Sequence, residues 1–558
     1  MQGQNMKIFA SLMPSKLLLS PKSASGQEKI YGAWVATKDF YRALLQHGTF
    51  NEYHFFTEPE GIVQLKTNLL QLNVGLDRVK IIVLDDMRRY LRDIQYTLFF
   101  TSSPNLSELA HLRLRFSKRL FPICGLTHAI SYVFMLRSVF FANMVAEVYP
   151  FDSIICPSRA VFTAAQNLSR LVSRSFKKNR GWKLAYNGRF DRLPLGVDAG
   201  EFSNIDRNNA RKSLGLERNQ IIILYFGRLS SFDKADLCLL LAAFKEIALK
   251  KNNVSLLVAG VETEQGYGLK LKNIAREMGI TRKVKFIFRN CLKEKHLIYA
   301  ASDIFVSPTD NIQETFGMTI IEAMAAGLPV VASQWNGYKD LVVHNKTGFL
   351  VPTYWTKLNS DLMFLNGILG RWQKEHLYFA QSVALDTDKF KDYLLRLINN
   401  PALRKKMGGE GRRRVLAEFD WKKVIPQYEK LWLKLYGLSK RYKTGRQREP
   451  VFMPDYFYAF KHYPSRILDG KTRIGITEKG LSFLNSKKLP CDIEGQLTGV
   501  IYIRIIFAVL SYFCRNDYGR ISEVERYASG FIGRSLSTAI SRHHIMWLLK
   551  KGMIRVTS

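Results

Sequence analysis

Uninterrupted apolar runs recur along the chain at regular intervals, each followed by a longer stretch with helical spacing. In the first part they read MKIFASLM, EYHFFT, VKIIVL, QYTLFF and LFPICGLT; further on they read IIILYF, VSLLVAG, VKFIF, DIFVSP and LPVVAS. A strand that is apolar without alternation has both faces covered, which suits a parallel sheet with helices on either side. The intervening patterns fit: GAWVATKDFYRALLQHG, and KADLCLLLAAFKEIALK with Leu237, Leu240, Leu241, Phe244 and Ile247 on one face. Two series in βα order predict an α/β chain with two tandem Rossmann-like, doubly wound domains, whose ligands bind at the carboxyl ends of the strands.

At 558 residues the chain exceeds a single core. The basic passage SRSFKKNRGWKLAYNGRFDRLPLGVDAGEF, rich in turn residues, reads as boundary and hinge. It sets residues 1–195 as the N-terminal domain and 196–420 as the second. A helix over 421–438 returns to the first domain. Residues 439–558 form a basic linker, GLSKRYKTGRQREP, and a small, mostly helical region. There RIGITEKGLSFLN and ISEVERYASGFIGRSLSTAISRHHIMWLLKKGMIRV read as winged-helix-like. The apolar stretch GVIYIRIIFAVLSYFC is short and carries Arg504, so it reads as a buried helix rather than a membrane span. Six cysteines without a CxxC pair read as free, mostly buried thiols, excluding a disulfide framework or a zinc site. The N-terminal residues lack a secretory-signal pattern, so the expected location is the cytoplasm. Lysine and arginine total 83 against 47 acids, a formal charge of +36. That excess points to anionic partners. Peripheral contact with the inner face of an anionic membrane is one; nucleic acid is another, through the C-terminal region alone, which makes a nucleic-acid-binding regulator the alternative reading.

The segment ETFGMTIIEAMAAGLPVVAS holds the chemistry. Glu314 and Glu322 are separated by seven intervening residues, the second within an apolar helical stretch. A helix beginning near Phe316 and ended by Gly327 and Pro329 offers the amides of Thr315, Phe316, Gly317 and Met318 to an anion, with Gly317 admitting it close to the backbone. Carboxylates on either side of a bound phosphate accept from pairs of hydroxyls. The layout suits a diphosphate with a sugar at each end, as in a nucleotide sugar. The acids of DTD at Asp386–Asp388 are explained by capping the helix that follows, rather than by a metal.

FGRLSSFDKADL, then SPTDNIQETFGMTIIEAMAAGLPVVASQWNGYKDLVVHNKTGFLVP, with LPLGVDAGEF at the hinge, NNPALRKKMGGEGRRRV and FDWKKVIPQYEKLW, resemble glycosyltransferase family four, the group 1 enzymes of GT-B fold. The resemblance is strong over residues 190–436 and weaker over 6–190; the last 120 or so residues lie outside it. It implies a retaining transfer from a nucleoside-diphosphate sugar, of the UDP- or GDP-sugar kind, to an acceptor hydroxyl on a glycan, a lipid-linked or another acceptor. It implies no cofactor and no metal. By resemblance, Glu314 contacts the transferred sugar and Glu322 the ribose, while Arg228 and Lys234 grip the diphosphate, Lys234 one residue further along than in the commoner pattern. His128, in FPICGLTHAISY, falls where the family has a histidine near the sugar or acceptor. Gly32, in KIYGAWVATKDF, stands alone where the family carries a glycine-rich loop.

Overall fold

The computed structural model describes residues 6–13, 32–288, 291, 294–357, 361–443, 455–486, 497, 500–533 and 536–557. They fall into two compact units, divided between Val451 and Phe452.

The first unit holds two parallel sheets. Strands β1 (Ile8–Leu12), β2 (Glu52–Thr57), β3 (Val79–Val83), β4 (Leu98–Thr101), β5 (Ile123–Leu126), β6 (Ser153–Cys156) and β7 (Arg189–Arg192) lie in the order β3-β2-β1-β4-β5-β6-β7. Strands β8 (Ile221–Phe226), β9 (Val254–Ala259), β10 (Val284–Ile287), β11 (Ile304–Ser307), β12 (Val330–Ser333) and β13 (Gly348–Val351) lie in the order β10-β9-β8-β11-β12-β13. Every pairing within these two sheets is parallel, for example Ile8 beside Glu52 and Ile221 beside Val254. In each, the order reverses direction beside the first strand of the series, and that is where a doubly wound sheet opens its crevice.

The basic passage behaves differently from its reading as a turn-rich boundary. The helix Arg159–Arg180 runs through its first eight residues and ends at Gly181, whose φ is 72°. The apolar stripe Val161, Ala165, Val172 continues at helical spacing to Phe176 beneath the lysines and arginines, so burial outweighs the charge density. Strand β7 then adds to the edge of the first sheet through Arg189, Asp191 and Arg192, whose charged side chains mask its strand character.

The two domains are stitched where the chain crosses between them. Val197 donates to the Phe419 carbonyl at 2.9 Å, and Trp421 donates back to the Val197 carbonyl at 3.2 Å. A Cβ on Gly196 would lie 2.6 Å from the Trp421 ring, so only glycine lets the two strands of chain cross there. The helix Trp421–Ser439 packs on the first domain: Trp432 meets Phe9 at 5.6 Å between ring centroids and Tyr428 meets Phe40 at 5.2 Å. Glu429 accepts from the Thr49 amide at 2.6 Å and from its hydroxyl at 2.8 Å.

The second unit has a three-stranded antiparallel sheet with Arg473–Ile476 in the middle, flanked by Tyr518–Arg520 and Ile554–Val556. Helices Ile503–Ser511, Ile521–Ile532 and Thr538–Lys550 close over Ile506, Val509, Val524 and Leu548. The stretch carrying Arg504 thus forms a helix of this unit that buries Ile505, Ile506, Ala508, Val509 and Leu510, while Ile503 and Arg504 at its start are exposed. No helix among the described residues is long and apolar enough to cross a membrane. Cys124, Cys156, Cys238, Cys291 and Cys514 are free; the first two and Cys291 are buried, whereas Cys514 is exposed, contrary to its apolar surroundings in sequence. Cys491 lies outside the described residues.

A buried ion pair fixes the amino ends of two central strands of the first sheet. Both guanidinium nitrogens of Arg113 lie 2.7 Å from the carboxylate of Asp152, and the Asp152 oxygens also accept from the amides of Ile123 and Tyr149, each at 2.8 Å. Arg113 further donates to the carbonyls of Phe121 and Glu147. The pair therefore ties the helix Ser107–Phe116 to the starts of β5 and β6. Replacing Asp152 with alanine strands a fully buried guanidinium, with an expected cost of about 3–5 kcal/mol. Urea denaturation followed by circular dichroism measures it as a lowered midpoint.

Candidate functional site

The carboxyl ends of β8 and β11 and the helix that follows β11 converge on a cavity of about 390 Å³. Its walls include Arg228, Lys234, Lys295, Glu314, Thr315, Phe316, Gly317, Met318 and Glu322 from the second domain, and His128 and Tyr132 from the first.

Beyond β8 the backbone passes so close to its neighbour that a Cβ on Gly260 would lie 1.7 Å from the Gly227 carbonyl, and Gly260 has a φ of 153°. Glycine there lets the Arg228 loop lie flat over the sheet end. Arg228 pairs with Asp233 at 2.7 Å and reaches the Asp233 carbonyl at 3.3 Å. Lys234 lies in a wide turn, closed by the Ala235 amide on the Ser230 carbonyl at 3.1 Å. That turn leaves the Lys234 ammonium on the Glu314 carboxylate.

Glu314 sits in the loop between β11 and the helix Met318–Ala325. Asn311 shapes this loop, its side-chain oxygen accepting from the amides of Gln313 at 2.9 Å and Glu314 at 3.2 Å while its side-chain nitrogen donates to the Lys234 carbonyl. The other Glu314 oxygen accepts from the amides of Thr315 at 3.1 Å and Phe316 at 3.2 Å. This corrects the sequence-based expectation: the helix starts at Met318 rather than Phe316, and two of the four amides assigned to an anion are held by Glu314 itself. The cause is Gly317, whose φ of 114° turns the chain out of the helical path just before the first turn. A Cβ there would also stand 2.7 Å from the Tyr338 ring. The amides of Met318 and Thr319, at the cavity wall, have no partner within the helix, as at any helix start.

Glu322 lies one turn into that helix and is 5% exposed. It is held by Lys295 at 2.8 Å and by the Tyr299 hydroxyl at 2.9 Å, both from the segment before β11. Burial drives the Lys234 and Lys295 ammonium groups toward the neutral form, but the adjacent Glu314 and Glu322 carboxylates outweigh it, and both lysines are held above the ordinary value. Burial likewise favours the neutral Glu314, and Lys234 overrides it to hold that carboxyl below the ordinary range.

From the first domain, His128 follows β5, with Nε2 3.3 Å from the Thr37 hydroxyl. Burial lowers its pKa to about 4, so the ring is neutral at pH 7. Gly32 opens the helix Gly32–His47, whose Trp34, Val35 and Ala36 line the cavity. The two domains also touch around the opening. The Ser158 hydroxyl donates to the Thr315 carbonyl at 2.7 Å, Arg42 meets Glu201 at 2.6 Å, and Gln313 donates to the Tyr132 hydroxyl.

Asp386 caps the helix Thr387–Asn399 by accepting from the Lys389 amide at 2.9 Å, while Asp388 points to solvent beside Lys391. Sequence reasoning missed Asp233, Lys295, Tyr299 and Asn311. Lys295 and Tyr299 show no pattern of their own in the sequence; the one available signal was that a buried Glu322 demands a cation.

Residues 206–365 match the family model described as glycosyl transferases group 1. The D-inositol 3-phosphate glycosyltransferase of Rhodococcus erythropolis is 32% identical over 173 residues, 30% of this chain and 38% of that protein. That of Actinosynnema mirum is 32% identical over 178 residues, 31% of this chain and 42% of that protein. The match thus spans about two fifths of these relatives' length. Among solved structures, a glycosyltransferase from Rickettsia africae superposes with a TM-score of 0.53 at 14% identity, over 77% of this chain and 99% of that one. HepE from Anabaena, solved in complex with UDP-glucose, gives 0.51 at 17% identity, over 76% of this chain and 99% of that one. Two doubly wound sheets facing one cavity give the first unit a GT-B fold, and residues 206–365, which carry the charged wall of that cavity, are similar to the glycosyl transferases of group 1.

Proposed function

We propose that the chain transfers a sugar from a nucleoside-diphosphate sugar to an acceptor hydroxyl, with retention at the anomeric carbon. The observation that carries this reading is the Lys234–Glu314 pair in the cavity wall, beside Arg228 and an open helix start. A cation and a carboxylate held against each other in a cleft are matched to a ligand that supplies both an anion and hydroxyls. A diphosphate displaces Glu314 as the partner of Lys234, and the released carboxylate accepts from the hydroxyls of the sugar. The named relatives support it: they are glycosyltransferases, and HepE was solved with UDP-glucose.

In this scheme Arg228, Lys234 and the amides of Met318 and Thr319 stabilise the charge that grows on the departing diphosphate, where a preorganised donor is worth most. Glu322, steadied by Lys295 and Tyr299, faces the ribose. His128, neutral at pH 7, offers a hydrogen bond to a sugar or acceptor hydroxyl without adding charge. The acceptor proton passes to the leaving phosphate oxygen on the same face, so no second catalytic carboxylate is required. The cations neutralise the diphosphate in place of a metal ion.

Incubation with a panel of nucleotide sugars should release nucleoside diphosphate from one of them. Silence across the panel together with tight binding to duplex DNA would support the nucleic-acid regulator instead. Glu314→Gln keeps the shape of the loop and is expected to lower kcat by about 100-fold or more; full activity in that variant would refute the site. The pH dependence of stability checks the His128 environment. Its ordinary value is 6.5 and its folded value about 4, so the unfolded chain binds the proton first. The His128 contribution is complete above pH 6.5 and declines as pH falls toward 4. His128→Gln should flatten that part of the curve, measured as the urea midpoint at a series of pH values.

A further inference from the structure

The helix Asp361–Ile368 turns large apolar side chains to solvent. Asn366 is buried and Gly367 faces inward, where a Cβ would stand 2.7 Å from Val133. Phe364, Leu365, Ile368 and the following Leu369 face solvent, with Phe364 72% exposed and Leu369 60%. The apolar face continues at its edge: Trp372, from the partner helix Trp372–Ala380, meets Tyr132 at 5.5 Å, and Tyr132 stacks on the exposed Phe134 at 5.4 Å. Tyr132 lines the cavity, so the apolar face reaches the cavity rim.

We propose that this face docks on an anionic phospholipid surface, bringing the cavity mouth to the headgroup layer. Charge complementarity selects that occupant. Beyond Asp361, the exposed charges of the helical hairpin are Arg371 and Lys374, and Arg137 is exposed one turn beyond Phe134. Apolar side chains with an aromatic rim and flanking cations are the composition of a helix lying in a bilayer interface. The second unit carries a segment of the same chemistry: helix Tyr456–Phe460 buries none of its residues, exposes Tyr456, Phe457 and Tyr458, and is followed by Lys461. With a formal charge of +36, the chain as a whole is drawn to such a surface.

The test is co-sedimentation of the full chain with phosphatidylcholine vesicles, with and without about 30 mol% phosphatidylglycerol. Binding is the readout, so the outcome is independent of the glycosyl-transfer reading. The wild-type chain should partition onto the anionic vesicles. Phe364→Ser combined with Ile368→Ser, both at exposed positions and checked by an unchanged melting temperature, should lower the partition coefficient about tenfold or more. Arg371→Glu with Lys374→Glu should weaken binding to the anionic vesicles alone. Unchanged partitioning of the serine double variant, or no binding by the wild type, would overturn the proposal. So would light scattering that shows a dimer dissolved by the same serine substitutions, since the face would then be covered by a second copy.

Discussion

Holding Lys234 and Glu314 against each other in the cavity wall is the constraint around which the second domain is arranged. Removing each charge from water costs several kcal/mol, and mutual attraction offsets that only when the geometry is right and the remaining lone pairs are satisfied. The surrounding features meet those conditions. The turn closed by Ser230 and Ala235 aims the ammonium, Asn311 holds the loop, and the amides of Thr315 and Phe316 occupy the second carboxylate oxygen. Gly317 is the residue that makes this possible. Its left-handed backbone detaches the loop from the helix, so that the amides of Thr315 and Phe316 serve Glu314 while those of Met318 and Thr319 remain at the cavity wall. The same economy repeats one turn deeper, where Glu322 is neutralised by Lys295.

Such a site is neutral at rest and polar on demand. A wall of bare cations would hold any passing anion; a wall of paired charges gives way only to a ligand that satisfies both members. Specificity then comes from the cost of leaving one partner uncompensated, which is larger than the net value of the pair itself. Under the proposed function, a ligand with an anionic centre and hydroxyls at a fixed distance from it fits such a wall better than a simple phosphate.

Both parallel sheets and the place of the two glutamates were legible in the sequence, because they rest on local signals. Apolar runs without alternation report strands covered on both faces, and a carboxylate inside an apolar helix reports something to neutralise it. What was not legible lies in meetings between distant segments. Lys295 and Tyr299 reach Glu322 across more than twenty residues of chain, from a helix whose sequence, KHLIYA, announces nothing. Asp233 reads as a turn residue until Arg228 is found on it. Strand β7 was hidden because its charged side chains mimic a loop, and the last turns of the helix Arg159–Arg180 because lysines and arginines conceal an apolar stripe that spacing alone preserves.

The helix Asp361–Ile368 shows the opposite failure. Periodicity identifies a helical face but not which way it points, since a stripe of Phe, Leu and Ile is equally consistent with a core and with a surface. Direction is decided by what the other face must do. Here Gly367 passes close to Val133 and Asn366 is buried, so the side that carries them takes the interior and Phe364, Leu365 and Ile368 are left outside. Exposing several large apolar side chains costs solvation free energy in water, about 1.5–3 kcal/mol for each one that a core would have buried. A chain that keeps that arrangement has placed exposed apolar surface beside Tyr132, at the rim of the cavity. The packing of Trp372 and His376 against Tyr132 ties the hairpin that carries this exposed apolar face to the cavity wall.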